Sequence, residues 1–270
     1  MLRTVAKVGE IIVRNTYRRK IMSMIETRNL TRKYGDITAV NNLSLTIGEG
    51  ELFALLGVNG AGKTTTIRML SCLSKPSSGE AFVDGHSCSA ESKAVKQVIG
   101  LSPQDTAVAD HLTVRENLEF MAAVYGYDKA EVKQRTDRII EEFHLGEVVN
   151  QRAQTLSGGW KRKLSIAMAL ISDPKVLFLD EPTLGLDVLA RRELWREIEK
   201  LKGKMTIVLT THYMEEAEHL SDRIAIMIAG RIAAVGTLEE ILAKGGADNL
   251  EDAFVAIAEA NTDDYAGGNV

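Results

Sequence analysis

The sequence predicts an α/β chain with a mostly parallel core sheet and a mainly helical segment inserted between its strands. Three observations carry that prediction. The apolar run Leu52-Phe53-Ala54-Leu55-Leu56 leads straight into the glycine-rich Gly57-Val58-Asn59-Gly60-Ala61-Gly62-Lys63-Thr64 and then into a helical stretch, Thr65 to Leu70. Strand, glycine-rich loop and helix, in that order, is the context in which such a loop cradles phosphate. Apolar runs return at Val176–Leu179, Thr206–Leu209 and Ile224–Ile228, the continuous pattern of strands buried on both faces. Between the two sets, helical periodicity dominates from Leu112 to about Leu170, broken at Gly126 and Gly146.

Taken in order, residues 1–23 stand apart. Arg3, Lys7, Arg14, Arg18, Arg19 and Lys20 face only Glu10, and Leu2, Val5, Val8, Ile12 and Val13 fall near helical spacing. A basic amphipathic pattern suits a membrane surface. Met22 and Met24 offer later starts, so the segment reads as an extension that is disordered or not translated. From Ile25 to Leu30, and again from Leu43 to Ile47, residues alternate as half-exposed strands do. Gly79 to Gly85 reads as a strand ending in a glycine turn, and Val98 to Leu101 as another before Ser102-Pro103-Gln104. The polar, glycine-rich tail after Asn261 is expected to be disordered.

Composition sets limits. A chain of 270 residues, 45% of them hydrophobic, can bury one large core with an inserted subdomain. A net charge of −4 gives no overall basic field, which argues against nucleic acid as a partner. No apolar run approaches the roughly 20 residues needed to cross a bilayer. Cys72 and Cys88 are too few for a disulfide framework; they fit a reducing cytoplasm and read as small buried apolar side chains.

The chemistry is concentrated in three places. Gly57 to Thr64 completes G-x-x-x-x-G-K-[ST]: the backbone from Gly57 through Asn59, Gly60, Ala61 and Gly62 turns N–H groups toward phosphate, with Thr65 following in the first helical turn. Lys63 reaches the β and γ oxygens, and Thr64 offers a hydroxyl to Mg²⁺. Asp180 and Glu181 end an apolar strand, where side chains emerge at the carboxyl edge of a sheet. There Asp180 suits Mg²⁺ coordination through water, and Glu181 suits polarising a water that attacks the γ-phosphate. Leu156-Ser157-Gly158-Gly159-Trp160 forms a second turn of bare backbone N–H groups at a helix N-terminus, an anion site in its own right.

Two phosphate-binding turns in one chain, the second spelled Leu-Ser-Gly-Gly, resemble the nucleotide-binding subunit of ATP-binding cassette (ABC) transporters. The resemblance runs from Met24 to about Phe254 and supplies further roles. It makes Gln104 the Q-loop glutamine that senses Mg²⁺ and couples to a membrane partner, and places Asp187 of Gly185-Leu186-Asp187 in a loop that crosses a dimer interface. His212 matches the switch histidine that contacts the γ-phosphate, and Tyr34 the aromatic that stacks on adenine. It implies a P-loop ATPase fold with an antiparallel β subdomain, a core over residues 24–235, a helical subdomain at about 105–170, and a C-terminal helical segment with a polar tail at 236–270. It also implies ATP and Mg²⁺ as ligands and a homodimer closing over two ATPs. The partner is a separate permease, which would hold the chain at the cytoplasmic face of the membrane.

Trp160 stands where that family commonly has glutamine, which removes any nucleotide contact needing a glutamine amide and leaves those of Ser157 and Gly159. With Leu112-Thr113-Val114-Arg115-Glu116-Asn117-Leu118, the run Thr211 to Glu218, and Leu250-Glu251-Asp252-Ala253-Phe254, the chain is similar to the ATPases of ABC-2 type exporters of drugs, sodium or polysaccharide. An importer ATPase is the nearer alternative, and about 35 residues after Val235 leave little room for the regulatory domain it would need. A soluble member acting on chromosomes or ribosomes would need a long coiled-coil insertion or a second cassette, and neither is present.

Overall fold

The computed structural model describes residues 23–266, with side chains through Asn261. The basic stretch of residues 1–22 lies outside the described residues. Two sheets organise the chain. The first is antiparallel, in the order β2-β1-β4-β5, from β1 (Ser23–Tyr34), β2 (Ile37–Gly48), β4 (Ser78–Val83) and β5 (His86–Ser87). Its first two strands are longer than their alternation suggests, because register shifts between Thr27 and Arg32 break the period of two. Asn29 and Asn42, both at positive φ, mark those irregularities.

The second sheet runs β10-β9-β3-β8-β7-β6. β3 (Leu52–Leu56), β6 (Ile99–Ser102), β7 (Val176–Asp180), β8 (Thr206–Thr211) and β9 (Arg223–Ile228) are parallel, and β10 (Arg231–Gly236) adds an antiparallel edge. Every residue of β3, β7 and β8 is buried, which explains their unbroken apolar runs. Phe53 and Leu55 of β3 enter the core beneath the antiparallel sheet, while Ala54 and Leu56 enter the core on the opposite face.

Nine helices of the described residues cover these sheets. α1 (Lys63–Leu70) follows β3, and α2 (Ser92–Val98), unread in the sequence, precedes β6. The inserted helical part comprises α3 (Val114–Val124), α4 (Lys129–Glu142) and α5 (Gly158–Leu170). Capping boxes fix the starts of the first two: Thr113 with Glu116, and Asp128 with Glu131. Gly126 ends the first at φ 86°, as the sequence break there predicts. α6 (Val188–Glu199) and α7 (Met214–Leu220) alternate with β8 and β9. After β10, α8 (Leu238–Gly245) and α9 (Leu250–Ala266) follow. Ile241, Leu250, Phe254 and Ile257 of these last helices are buried against β9 and β10. The residues after Asn261, expected to be irregular, continue α9 to Ala266. No helix of the described residues is long and apolar enough to cross a membrane.

Candidate active site at the carboxyl edge of the parallel sheet

The chain leaves β3 through residues 57–62 and enters α1. A Cβ at Gly57 would stand 2.5 Å from the Met227 carbonyl oxygen, and one at Gly62 would stand 2.4 Å from that of Ala39. Gly60 and Gly62 hold φ of 83° and 105°. The loop is therefore wedged between β9 and β2 in a shape that only glycine accepts. Ala61 is buried beneath it; Asn59 and Gly60 form its exposed tip. Thr64 and Thr65 lie half-buried in the first turn of α1.

Lys63 is 4% exposed. Its Nζ donates to the Gly57 oxygen at 2.8 Å and the Val58 oxygen at 3.1 Å, and lies 3.2 Å from Glu181 Oε1. Asp180 Oδ1 accepts from Thr64 Oγ1 at 3.1 Å and from Thr210 Oγ1 at 2.5 Å. Glu181 sits just past β7 at φ 47°, a left-handed conformation that its N–H holds by donating to both the carbonyl and the hydroxyl of Thr210. His212 Nδ1 is 3.3 Å from Glu181 Oε2 without hydrogen-bond alignment, and its ring packs on Tyr213 at 4.2 Å. Lys63, Thr64, Asp180, Glu181 and His212 thus form one cluster. Thr210, missed in the sequence, is its hidden member. Parallel register pairs it with Asp180, a relation across strands that spacing along the chain does not reveal.

Tyr34 stands at the rim, 43% exposed at the β1–β2 turn, with the Arg32 guanidinium 4.5 Å over its ring. Interaction chiefly with Ser74 and next with Arg32, with a smaller part from Thr65 of α1, draws its phenol below the usual tyrosine range.

The second turn is built separately. Ser157 is the N-cap of α5, its hydroxyl accepting from the Trp160 N–H at 3.4 Å. A Cβ on Gly158 would meet Leu186 at 3.6 Å, and one on Gly159 would meet Ala190 Cβ at 3.2 Å, so this turn lies close against the start of α6. Asp187 caps that helix, accepting from the N–H groups of Leu189 and Ala190. Trp160 covers the Lys163 ammonium, 4.9 Å from its ring, and Lys163 pairs with Glu193 at 3.1 Å. No hydrogen bond, ion pair or ring contact joins Ser157, Gly158, Gly159 or Asp187 to the Lys63 cluster.

Gln104 is exposed, but its backbone is not free. Arg162 of α5, 5% exposed, donates to the Pro103 oxygen at 2.7 Å and the Gln104 oxygen at 2.6 Å. Burial pulls this guanidinium down from its usual range, opposed by the charges of Asp180 and Asp105. The sequence signal for Arg162 was the basic run Lys161-Arg162-Lys163, which does not say that Arg162 and Lys163 turn inward while Lys161 stays half-exposed.

The ABC transporter family model matches residues 40–184. The daunorubicin resistance ATP-binding protein DrrA3 of Streptomyces coeruleorubidus is 41% identical over 221 residues, spanning 82% of this chain and 70% of that protein. The linearmycin resistance ATP-binding protein LnrL of Bacillus subtilis is 39% identical over 228 residues, spanning 84% and 73%. Among solved structures, a dimeric post-hydrolysis state of the ATP-binding cassette MJ0796 bound to ADP and Pi superposes with a TM-score of 0.71 at 27% identity, over 80% of this chain and 99% of that one. With the family model matched over more than half its length, and relatives this similar over most of theirs, the chain belongs to the ABC transporter family, in which it is an ATP-binding and ATP-hydrolysing subunit.

Proposed function

We propose that this chain is the motor of an ABC-2 type exporter. Two copies close over two ATP molecules, each ATP held by the phosphate loop of one copy and by Ser157 and Gly159 of the other. The observation that carries this reading is that both phosphate-binding turns are fully formed in one chain yet share no contact. A second copy brings them together. The dimeric state of the cassette MJ0796 supports that arrangement, and the resistance named for the two bacterial relatives supports export.

The residues fit their ligands. The glycine conformations of residues 57–62 leave backbone N–H groups open at the N-terminus of α1, and the buried Lys63 adds a cation for the β and γ phosphates. Thr64 and Asp180, with the Gln104 amide, offer the oxygen ligands that Mg²⁺ prefers. When bound, Mg²⁺ neutralises charge developing on the phosphate oxygens. Glu181 spans Lys63 and His212 with its two carboxylate oxygens, a position from which it polarises the attacking water while His212 orients it. Tyr34 gives the adenine a stacking face on the side away from Arg32. The chain lies against the cytoplasmic face of the membrane through a separate permease.

Mixing two inactive subunits tests the arrangement. Lys63→Ala disables a phosphate loop, and Ser157→Arg blocks a signature turn. In a mixed dimer both defects fall in one composite site, and the other site is intact. The mixture should regain partial ATPase activity that neither variant has alone. A mixture as inactive as its parts would contradict the shared-site arrangement.

A further inference from the structure

Arg191, a residue outside every motif of the sequence, begins a stack of side chains that ends on the carboxylate of Glu181. It lies in the first turn of α6, where its N–H donates to the Asp187 oxygen at 2.9 Å. Its guanidinium carbon stands 4.4 Å over the Tyr213 ring. Tyr213 directly precedes α7, and its N–H donates to Thr211 Oγ1 at 3.0 Å, which ties its backbone to the end of β8. The Tyr213 ring packs on that of His212, with 4.2 Å between centroids and 39° between planes. His212 in turn sets Nδ1 3.3 Å from Glu181 Oε2.

The His212 Nδ1 is buried and makes no hydrogen bond that would fix its ring. Its orientation therefore rests on packing, and Tyr213 is the aromatic ring in contact with it. Tyr213 is itself half-buried and needs a surface to hold its ring. Arg191 supplies one, because a cation over an aromatic face is attracted to the ring's negative face, the more so where water is displaced. The Arg191 side chain is 19% exposed, and its Nε is buried without a hydrogen bond. Its ion pair with Glu215 is long, 3.9 Å from Nη1, and that carboxylate is 65% exposed, so the pair is weak and screened by solvent. The ring contact, more than the carboxylate, holds the guanidinium in place.

We propose that Arg191 is a positioning residue: it holds the Tyr213 ring, and that ring holds the His212 imidazole beside Glu181. Its bearing on hydrolysis rests on the reading of His212 as the group that orients the attacking water. Among the described residues no hydrogen bond or ion pair joins Arg191 to Lys63, Thr64, Asp180 or Glu181, so its effect on the site passes through the two rings.

The test pairs kinetics with a direct reading of the ring in the full chain. Arg191→Met keeps the apolar length of the side chain and removes its charge. Turnover should fall roughly tenfold, since a small misplacement of a positioned group costs up to about a hundredfold, and ATP affinity should match the parent, which also shows the variant to be folded. Arg191→Lys, which restores a cation, should recover part of the rate, and Tyr213→Leu, which removes the ring, should reproduce the loss. In a His212→Ala background Arg191→Met should cost nothing further, because residues that act as one unit are not additive. A merely structural role, such as the charge that Arg191 places near the buried Glu216, would instead add its loss in full. The His212 imidazole resonances of histidine-labelled protein should move in Arg191→Met, whatever His212 does in hydrolysis. A His212→Ala chain with parental turnover would overturn the water-orienting role alone, and the resonances would still decide what holds the ring. Unmoved resonances, or a loss from Arg191→Met that adds in full to that of His212→Ala, would overturn the inference.

Discussion

At the scale of single residues, the proposed site turns on Glu181, chosen in the sequence by residue type and held by the fold in a strained conformation. An acidic pair after an apolar strand is legible. The φ of 47° that aims one carboxylate between Lys63 and His212 is not, because it depends on Thr210 from the neighbouring strand. Glu181→Gln keeps the shape and the phosphate cradle but loses the charge that polarises water. Hydrolysis should fall on the order of a hundredfold or more with nucleotide binding retained. Single-turnover phosphate release together with equilibrium binding of labelled ATP checks both halves, and near-parental hydrolysis would mean that another group activates the water. Lys63→Ala acts one step earlier. It removes the buried cation that also pairs with Glu181, so ATP affinity and turnover should fall together. Unchanged affinity would remove Lys63 from the phosphate site.

At the scale of elements, α6 and α7 are held together by a carboxyl the motif reading passed over. Glu216, fully buried, accepts from Trp195 Nε1 at 3.0 Å, and its other oxygen lacks a formed hydrogen bond. Burial lifts this carboxyl above its ordinary value, with Thr211, Thr183 and Trp195 pulling the other way. The folded state therefore holds a proton that the unfolded state releases, and stability falls as pH rises from the ordinary glutamate value through the raised one. Glu216→Gln, which keeps the Trp195 bond, should flatten that part of the stability curve and leave the neutral form at least as stable as the parent. Urea midpoints across pH 4 to 8, a range chosen to span roughly the ordinary carboxylate value and neutrality, check the slope. An unaltered slope would assign the proton elsewhere. The sequence hid Glu216 because it sits in a run of acidic residues, and only packing decides that Glu215 points out and Glu216 in. Helix α3 shows the opposite case. Val114, Leu118 and Ala122 face the core, while Phe120 and Val124, one turn apart, stay 57% and 64% exposed. If the proposed function holds, this exposed apolar pair on the helical part is a candidate contact with the permease. Phe120→Asp should leave the ATPase of the isolated chain within about twofold, since an exposed substitution far from the site costs little. It should reduce transport when the permease is present, and equal loss of both activities would place Phe120 in folding instead.

At the scale of the whole molecule, the parallel sheet was legible because strands buried on both faces must be apolar throughout, as β3, β7 and β8 are. The edge strand β10 was not: in Arg231-Ile232-Ala233-Ala234-Val235-Gly236 apolar residues run together without alternation and Ile232, Ala233 and Val235 are only half-buried, and its place is set by a turn at Ala229 and Gly230. The order of strands in the sheet was also invisible, since parallel neighbours are chosen by crossovers rather than by local pattern. Both turns proposed to bind anions could be located from residues, and their separation could not. That separation has a measurable consequence. A ligand that binds two loops of different copies is shared by the associated state alone, so ATP should drive association by mass action, whereas ADP, lacking the γ-phosphate, should not. In the Glu181→Gln background, where hydrolysis is slow, light scattering should show the mass doubling on adding ATP with Mg²⁺, and adding Ser157→Arg should abolish the doubling while ATP still binds each monomer. If the Glu181→Gln chain stays monomeric with ATP bound, closure requires the permease to hold the two copies together, and the ATP-driven dimer of the isolated chain is wrong.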